Sequence, residues 1–208
     1  MSNKTFGYFT ILSILACLFS VLIIDQPLAF FINDHLRTVQ PFVRDLTYYA
    51  EIIFGFPISK YLAGLVLLLL GCVFYFKDND FSRGKLFFFV SLTFIFARLS
   101  AGMLKNVFER IRPFELLETN QFGQTFFIDG GSSFPSGHTA HFGGLFLPLI
   151  FLFPKYKAVL LIVPVIIGLS RIIVNDHYLS DVLTSFYIAL FFTFILTRIM
   201  NIKYPKAV

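Results

Sequence analysis

Six apolar windows punctuate the chain. They are Phe6 to Ile24, with no charge inside; Tyr61 to Phe76, extending backwards through Ile52 with Lys60 near its edge; Leu86 to Leu104, interrupted by Arg98; His138 to Phe153; Ala158 to Val174, interrupted by Arg171; and Leu179 to Met200, with Asp181 near its start. Each approaches the roughly 20 residues a helix needs to cross a bilayer, and Lys, Arg and Tyr at the ends can snorkel to the interface. The first window follows a short polar start and no small-x-small cleavage pattern follows it, so it reads as a retained helix. Between the first two windows, Leu28, Phe31, Ile32, Leu36 and Val39 recur at helical spacing, Pro41 breaks the run, and Phe42, Val43 and Leu46 begin another. That pattern predicts two short interfacial helices. No internal repeat or low-complexity linker appears. The predicted fold is therefore all-α: a single domain over 1–208, an integral membrane bundle of six transmembrane helices with short interfacial helices between the first two spans.

Composition agrees. Of 208 residues, 57% are hydrophobic and 14% charged, against about 25% charged in an average soluble domain, and the mean hydropathy is +0.78. This excludes a soluble enzyme, a disordered tail and a secreted disulfide scaffold. Cys17 and Cys72 lie within apolar stretches and read as small buried hydrophobes. The net charge of +5 comes with no Lys/Arg-rich run, so topology rather than nucleic acid explains it. With the N-terminus inside, the inner segments hold Lys4, Lys77, Arg83, Lys85, Lys155, Lys157, Arg198, Lys203 and Lys206 against the acids Asp78 and Asp80. The positive-inside rule then predicts both termini in the cytoplasm.

Six spans fix which helix ends share a side. Arg98 and Lys105 fall on the outer half of the third span or just beyond it, His138 and His141 open the fourth, Arg171 ends the fifth, His177 follows it, and Asp181 opens the sixth. Ionisable groups in or beside spans are costly and usually face a site or a partner, and these converge on the outer leaflet. Lys105 to Pro113 places several cations beyond a helix end. Phe134-Pro-Ser-Gly-His138-Thr139 reads as a helix start whose free N–H groups can hold an anion, with Gly137 permitting close backbone approach. If Ser170 to Asp181 is helical, His177 and Asp181 lie four apart on one face, and the carboxylate can hold one imidazole nitrogen while the other acts as nucleophile. Cations, an anion-binding helix start, one oriented His and one spare His suit phosphoryl transfer that needs no metal. No P-loop and no clustered metal-ligand set is present, so no cofactor and no metal are expected.

At these residues the sequence resembles the type 2 phosphatidic acid phosphatase (PAP2) superfamily of membrane lipid phosphate phosphatases. That family's pattern is Lys-x6-Arg-Pro, then Pro-Ser-Gly-His, then Ser-Arg-x5-His-x3-Asp, and all its fixed positions occur here in order between Lys105 and Asp181. The resemblance implies that His177 forms a phosphohistidine, Asp181 orients it, and His138 protonates the leaving group and then helps activate water. It implies that Lys105, Arg112 and Arg171 bind phosphate together with Ser136 and the Gly137 N–H. The short chain looks like a bacterial member, and with the cluster on the predicted outer leaflet the site would face the periplasm or exterior of the inner membrane. Its substrate would be an envelope lipid phosphate: undecaprenyl diphosphate, phosphatidylglycerol phosphate, a lipid A phosphate or phosphatidic acid. Leu179 stands where many relatives have Pro, and Asn175-Asp176 where a small or apolar residue is frequent, so no single relative's substrate transfers.

Residues outside the pattern have plainer readings. His141 is expected to pack in the wall, and Glu109, Glu115, Glu118 and Asp129 to be solvated or ion-paired. Arg110 stands between a phosphate contact and an ion pair, Arg98 between a pairing role in the bundle and support for the site, and Ser170 beside Arg171 is a further supporting candidate. Two other functions stay open: lipid-to-lipid phosphotransfer at the same site, and a non-catalytic anionic-lipid binder or transporter, against which the complete His-His-Asp set argues.

Overall fold

The computed structural model describes residues 2–119, 127–128 and 130–202; Asp129, Lys203 and Lys206 lie outside the described residues. Among the described residues the chain is all-helical. Helix α1 (Asn3–Phe19) runs through a π-turn (Ser20–Ile24) directly into α2 (Asp25–His35), giving one 33-residue rod. The first predicted interfacial helix is thus the continuation of the first span. The π-turn has a local cause: the Pro27 ring lacks an N–H and crowds the carbonyl four residues back, at Ile23, inside that turn. A 3-10 turn (Arg37–Val39) then redirects the chain into α3 (Gln40–Ile53). Pro41 sits in the first turn of α3, so it starts a helix rather than ending one.

The second window is not one helix from Ile52. Gly55, at φ +70°, takes the left-handed conformation that closes α3, and α4 (Leu62–Cys72) begins after a run of turns and ends in a second π-turn (Val73–Lys77). The remaining helices are α5 (Phe81–Phe108), α6 (Pro113–Thr119), α7 (Gly137–Leu152), α8 (Lys157–Ile173) and α9 (Leu179–Ile199). Among the described residues, four helical stretches are long and apolar enough to cross a membrane: Asn3–His35, Phe81–Glu118, Pro154–Ile173 and Leu179–Ile199. Leu62–Lys77 and Gly137–Leu152 are shorter apolar helices. Apolar side chains on the outside, such as Leu12, Leu22, Phe42, Leu69 and Ile199, mark the surface of a membrane protein.

Helix α7 is the hub, packed on α5, α8 and α9, while α4 covers α5, α1 covers α9 and α3 crosses α8. Gly144 lets α7 approach the α5 backbone closely, since a Cβ there would sit 2.9 Å from the Phe94 Cα. Phe89, Phe94, Phe142, Leu145 and Ile167 fill the core around it. At one end of the bundle Arg198 donates to Asn3 at 3.2 Å and Lys85 to the Asn201 carbonyl at 3.5 Å. The ends of α1 and α9 and the start of α5 therefore meet there. The polar cluster occupies the opposite end.

Candidate active site

Backbone hydrogen bonds lace the three motif segments together. Ser133 N donates to Arg110 O at 2.8 Å, Ser136 N to Asp181 O at 3.1 Å, and Phe114 N to Asn175 O at 3.0 Å. The first link depends on the end of α5, where Glu109 adopts φ +41° and turns Arg110 inward.

His177 sits in the loop before α9, not in a helix. Its Nδ1 lies 3.3 Å from Asp181 Oδ2. The i,i+4 spacing works for a different reason than predicted: Asp181 is in the first turn of α9 and reaches back to accept from Tyr178 N at 2.9 Å, as an acid at a helix start does. Ser133 Oγ donates to the same oxygen at 2.5 Å. The other oxygen, Oδ1, takes Arg110 Nη1 at 2.5 Å. With Nδ1 donating to a carboxylate so occupied, Nε2 of His177 is the unprotonated nitrogen, chemically able to accept a proton or to attack an electrophile. Burial pushes this imidazole well below its ordinary pKa; the hydrogen bond and charge of Asp181 oppose that, and Lys105 and Arg112 reinforce it.

Arg110 is fully buried and bridges two carboxylates. It pairs with Asp181 and, through Nη2 at 2.7 Å, with Asp25, stacks over the Tyr178 ring at 4.0 Å, and donates to Ser180 Oγ at 2.7 Å. Ser180 closes the ring by donating to Asp25 from Oγ at 2.5 Å and from N at 3.1 Å. Arg110 thus stands in a buried ion pair behind His177. Asp25 was not singled out from sequence; its signal is a lone acid closing a 19-residue window free of charge.

His138 opens α7, whose N-cap is Ser136. Ser136 Oγ is buried and accepts from Thr139 N at 3.4 Å and Thr139 Oγ1 at 3.0 Å, which makes it a cap. His138 Nε2 lies 2.8 Å from Glu51 Oε1 on α3, and its ring stacks on Phe56 at 4.8 Å. Burial alone would raise the Glu51 carboxyl; the His138 hydrogen bond and charge, with help from Arg171, outweigh it and hold it below the usual carboxylate value. Glu51 is the second acid missed from sequence, where no motif position marks it.

A cavity of about 180 Å³ joins His177, His138, Gly137, Lys105 and Arg112, walled by Arg98, Lys60 and Tyr61. Lys105 Nζ donates to the carbonyls of Ser132 and Ser133, the latter at 3.3 Å. Arg112 reaches Ser132 Oγ at 3.4 Å. The close approach permitted by Gly137 is used by Arg98, which donates to Gly137 O at 2.5 Å; a Cβ on Gly137 would lie 2.8 Å from Arg98 Nη1. Arg98 therefore braces the α7 start. Arg171 does not line this cavity. Its guanidinium pairs with Asp176, which also stands 4.0 Å from Arg112, and it faces the neighbouring chamber. Ser170 accepts from Thr47 at 2.8 Å and so ties α3 to α8. His141 packs among the Phe56, Phe94 and Phe142 rings. Among the described residues, no group of three or more His, Cys, Asp or Glu side chains is placed to hold a metal ion.

Curated relatives resemble part of this chain. A lipid A 1-phosphatase of Rhizobium etli is 34% identical over 93 residues, covering 44% of this chain and 40% of the relative. A lipid A 1-phosphatase of Rhizobium johnstonii is 32% identical over 97 residues, covering 46% and 40%. The match thus spans about two fifths of the length of each relative. No solved structure matches the chain significantly. The sequence profile of the PAP2 superfamily matches residues 84–205, more than half of the chain and all three motif segments that build the cavity, so the chain belongs to the PAP2 superfamily.

Proposed function

We propose that this protein is an integral membrane lipid phosphatase that works through a phosphohistidine at His177. The observation that carries the reading is the pairing of His177 Nδ1 with Asp181 at 3.3 Å in a cavity shared with His138, Lys105 and Arg112. His177 Nε2 attacks phosphorus and the P–O bond to the lipid breaks, with His138 giving the departing oxygen its proton. Water then attacks the phosphohistidine, His138 takes the water's proton, and the P–N bond breaks to release phosphate. Lys105, Arg112 and the first N–H groups of α7 stabilise the charge on the transferred phosphoryl group. Arg171 joins them once it leaves Asp176.

A lipid substrate is favoured by an apolar groove of about 580 Å³ between α4, α5 and α7 that extends to Phe54 and Gly55, next to Phe56 of the cavity wall. Six spans fit the four long and two short apolar helices, with both termini in the cytoplasm and the cavity at the outer side of the inner membrane. The names of the relatives favour a lipid A phosphate over undecaprenyl diphosphate, phosphatidylglycerol phosphate or phosphatidic acid. The test is phosphate release by the purified protein in detergent from a panel of these lipids, with and without excess EDTA. Release unaffected by EDTA is expected, because arginine and lysine supply the charge a metal would otherwise supply. No release from any lipid, or abolition by EDTA restored by Mg²⁺, would overturn the reading.

A further inference from the structure

Beside the reaction cavity lies a second, larger chamber of about 750 Å³. Its walls come from the turn after α2, the start of α3, the α6 region and the α8–α9 loop. Four arginines line it, Arg37, Arg44, Arg112 and Arg171, against two acids, Glu118 and Asp176. Asp176 is already engaged by Arg171. Arg37 and Arg44 have no ion-pair partner among the described residues. Gln40 and Arg44, four residues apart on α3, share a helix face towards the chamber.

Two features decide what such a chamber receives. Its excess of guanidinium groups calls for an anion with several acceptor oxygens, since the planar fork matches phosphate in a bidentate way. And Arg112 belongs to both chambers, so a ligand in the larger one adjoins a lipid held in the smaller one with no helix between them. We infer that the larger chamber is a second phosphate subsite, holding a phosphate set elsewhere on the headgroup of the same lipid whose scissile phosphate lies beside His177. The inference rests on the proposed reaction and adds to it: Arg37 and Arg44 select headgroups carrying two separated phosphates.

The experiment uses two lipids with identical acyl chains, bearing one or two phosphates on the headgroup, and three proteins: wild type, R37Q/R44Q and R37K/R44K. The wild type should favour the two-phosphate lipid in kcat/KM by about tenfold or more, the scale of one or two charge-assisted hydrogen bonds. In R37Q/R44Q that ratio should collapse towards one through KM, and R37K/R44K, which keeps the charge but not the planar fork, should retain only part of it. A ratio unchanged in R37Q/R44Q, or an equal loss on both lipids, overturns the inference. Two further arms separate other anions from a second phosphate on the substrate. If inorganic phosphate inhibits the wild type but not R37Q/R44Q on the one-phosphate lipid, the chamber takes free phosphate. If anionic phosphatidylglycerol in a phosphatidylcholine nanodisc activates only the wild type, the chamber reads the membrane surface. Either result also overturns the inference. Binding of both lipids to His177→Ala protein in nanodiscs gives the same ratio without turnover. Hence a protein that hydrolyses neither lipid but binds the two-phosphate lipid more tightly, through Arg37 and Arg44, refutes the reaction and keeps the subsite.

Discussion

The two histidines stand in contrasting surroundings, although a carboxylate holds each. His177 is 2% exposed, and its partner Asp181 is fully buried and accepts from Tyr178 N, Ser133 and Arg110 as well as the imidazole. Behind them Asp25 holds Arg110, so His177 rests on a chain of alternating charges reaching from α9 to α2. The His138 side chain is 20% exposed and its partner Glu51 13%; Glu51 arrives from α3, outside the bundle core. Under the proposed reaction, the contrast matches two chemical tasks. A nucleophile must stay in line with phosphorus, and a shift of an ångström is costly. An acid that later activates water must keep a route to water and tolerate different leaving groups. A rigid cage serves the first, a single adjustable carboxylate the second.

The largest expected effects come from the cage. His177→Ala should abolish phosphoenzyme formation and phosphate release on every substrate while leaving the fold intact, since the side chain supplies one of several bonds to Asp181. Arg110→Leu should do more. It leaves Asp25 and Asp181 buried and uncompensated, a defect worth about 3–5 kcal/mol, so both activity and thermal stability in detergent should fall sharply. A stable Arg110→Leu protein with more than a tenth of wild-type activity would show that the chain of charges does not hold the nucleophile.

A smaller and more selective effect is expected at Glu51. Glu51→Gln keeps the shape but removes the charge that orients His138 and favours its protonated form. General acid catalysis contributes about 10²–10⁴-fold, of which a positioning partner carries a part. Turnover on an alkyl phosphate lipid should drop about tenfold or more, and far less on an aryl phosphate whose leaving group needs no proton. An equal drop on both would mean that Glu51 merely supports the fold. The same leaving-group test applied to His177→Ala should show no rescue, which keeps the two histidines distinguishable.

How much of this was legible in the sequence follows the same division. His177, Asp181 and His138 sit at fixed spacings near helix starts, and local backbone geometry decides their positions; spacing is what a sequence displays. The apolar windows gave helices α5, α7, α8 and α9 to within a few residues, because charge-free runs and their polar ends are local facts. The supports were not legible. Asp25 reaches Arg110 across 85 positions and Glu51 reaches His138 across 87, and no local pattern encodes which acid meets which base. They are, however, the two acids that bound the segment between the first two windows, and both meet residues of the motif segments at one end of the bundle. The joining of α1 to α2 is not legible either: Pro41 is the visible breaker in the sequence, while the chain turns earlier, at Arg37–Val39. The motif implies that Arg171 binds phosphate; in the structure Asp176, the residue before His177, holds it in the neighbouring chamber.

The smallest expected effect concerns pH and isolates the cage from the rest of the site. Burial holds His177 below the ordinary imidazole value, against the pull of Asp181. In the unfolded chain the same side chain titrates near 6.5. As pH falls through that value, the unfolded state takes up a proton that the folded state refuses. The unfolded state then binds more protons, so stability must fall as pH falls, by at most about 1.4 kcal/mol per pH unit from this group. The loss begins near pH 6.5 and continues until the folded His177 itself titrates. Thermal unfolding midpoints in detergent between pH 7.5 and 5 should therefore decline for the wild type, and His177→Gln should flatten that decline, because glutamine takes no proton in either state. For the same reason the acid limb of kcat/KM, corrected for ionisation of the substrate phosphate, should lie below pH 6 rather than at 6.5. Parallel slopes for wild type and His177→Gln, with an acid limb at 6.5, would mean that the nucleophile is solvated, and that the contrast between a closed cage and an open acid does not hold.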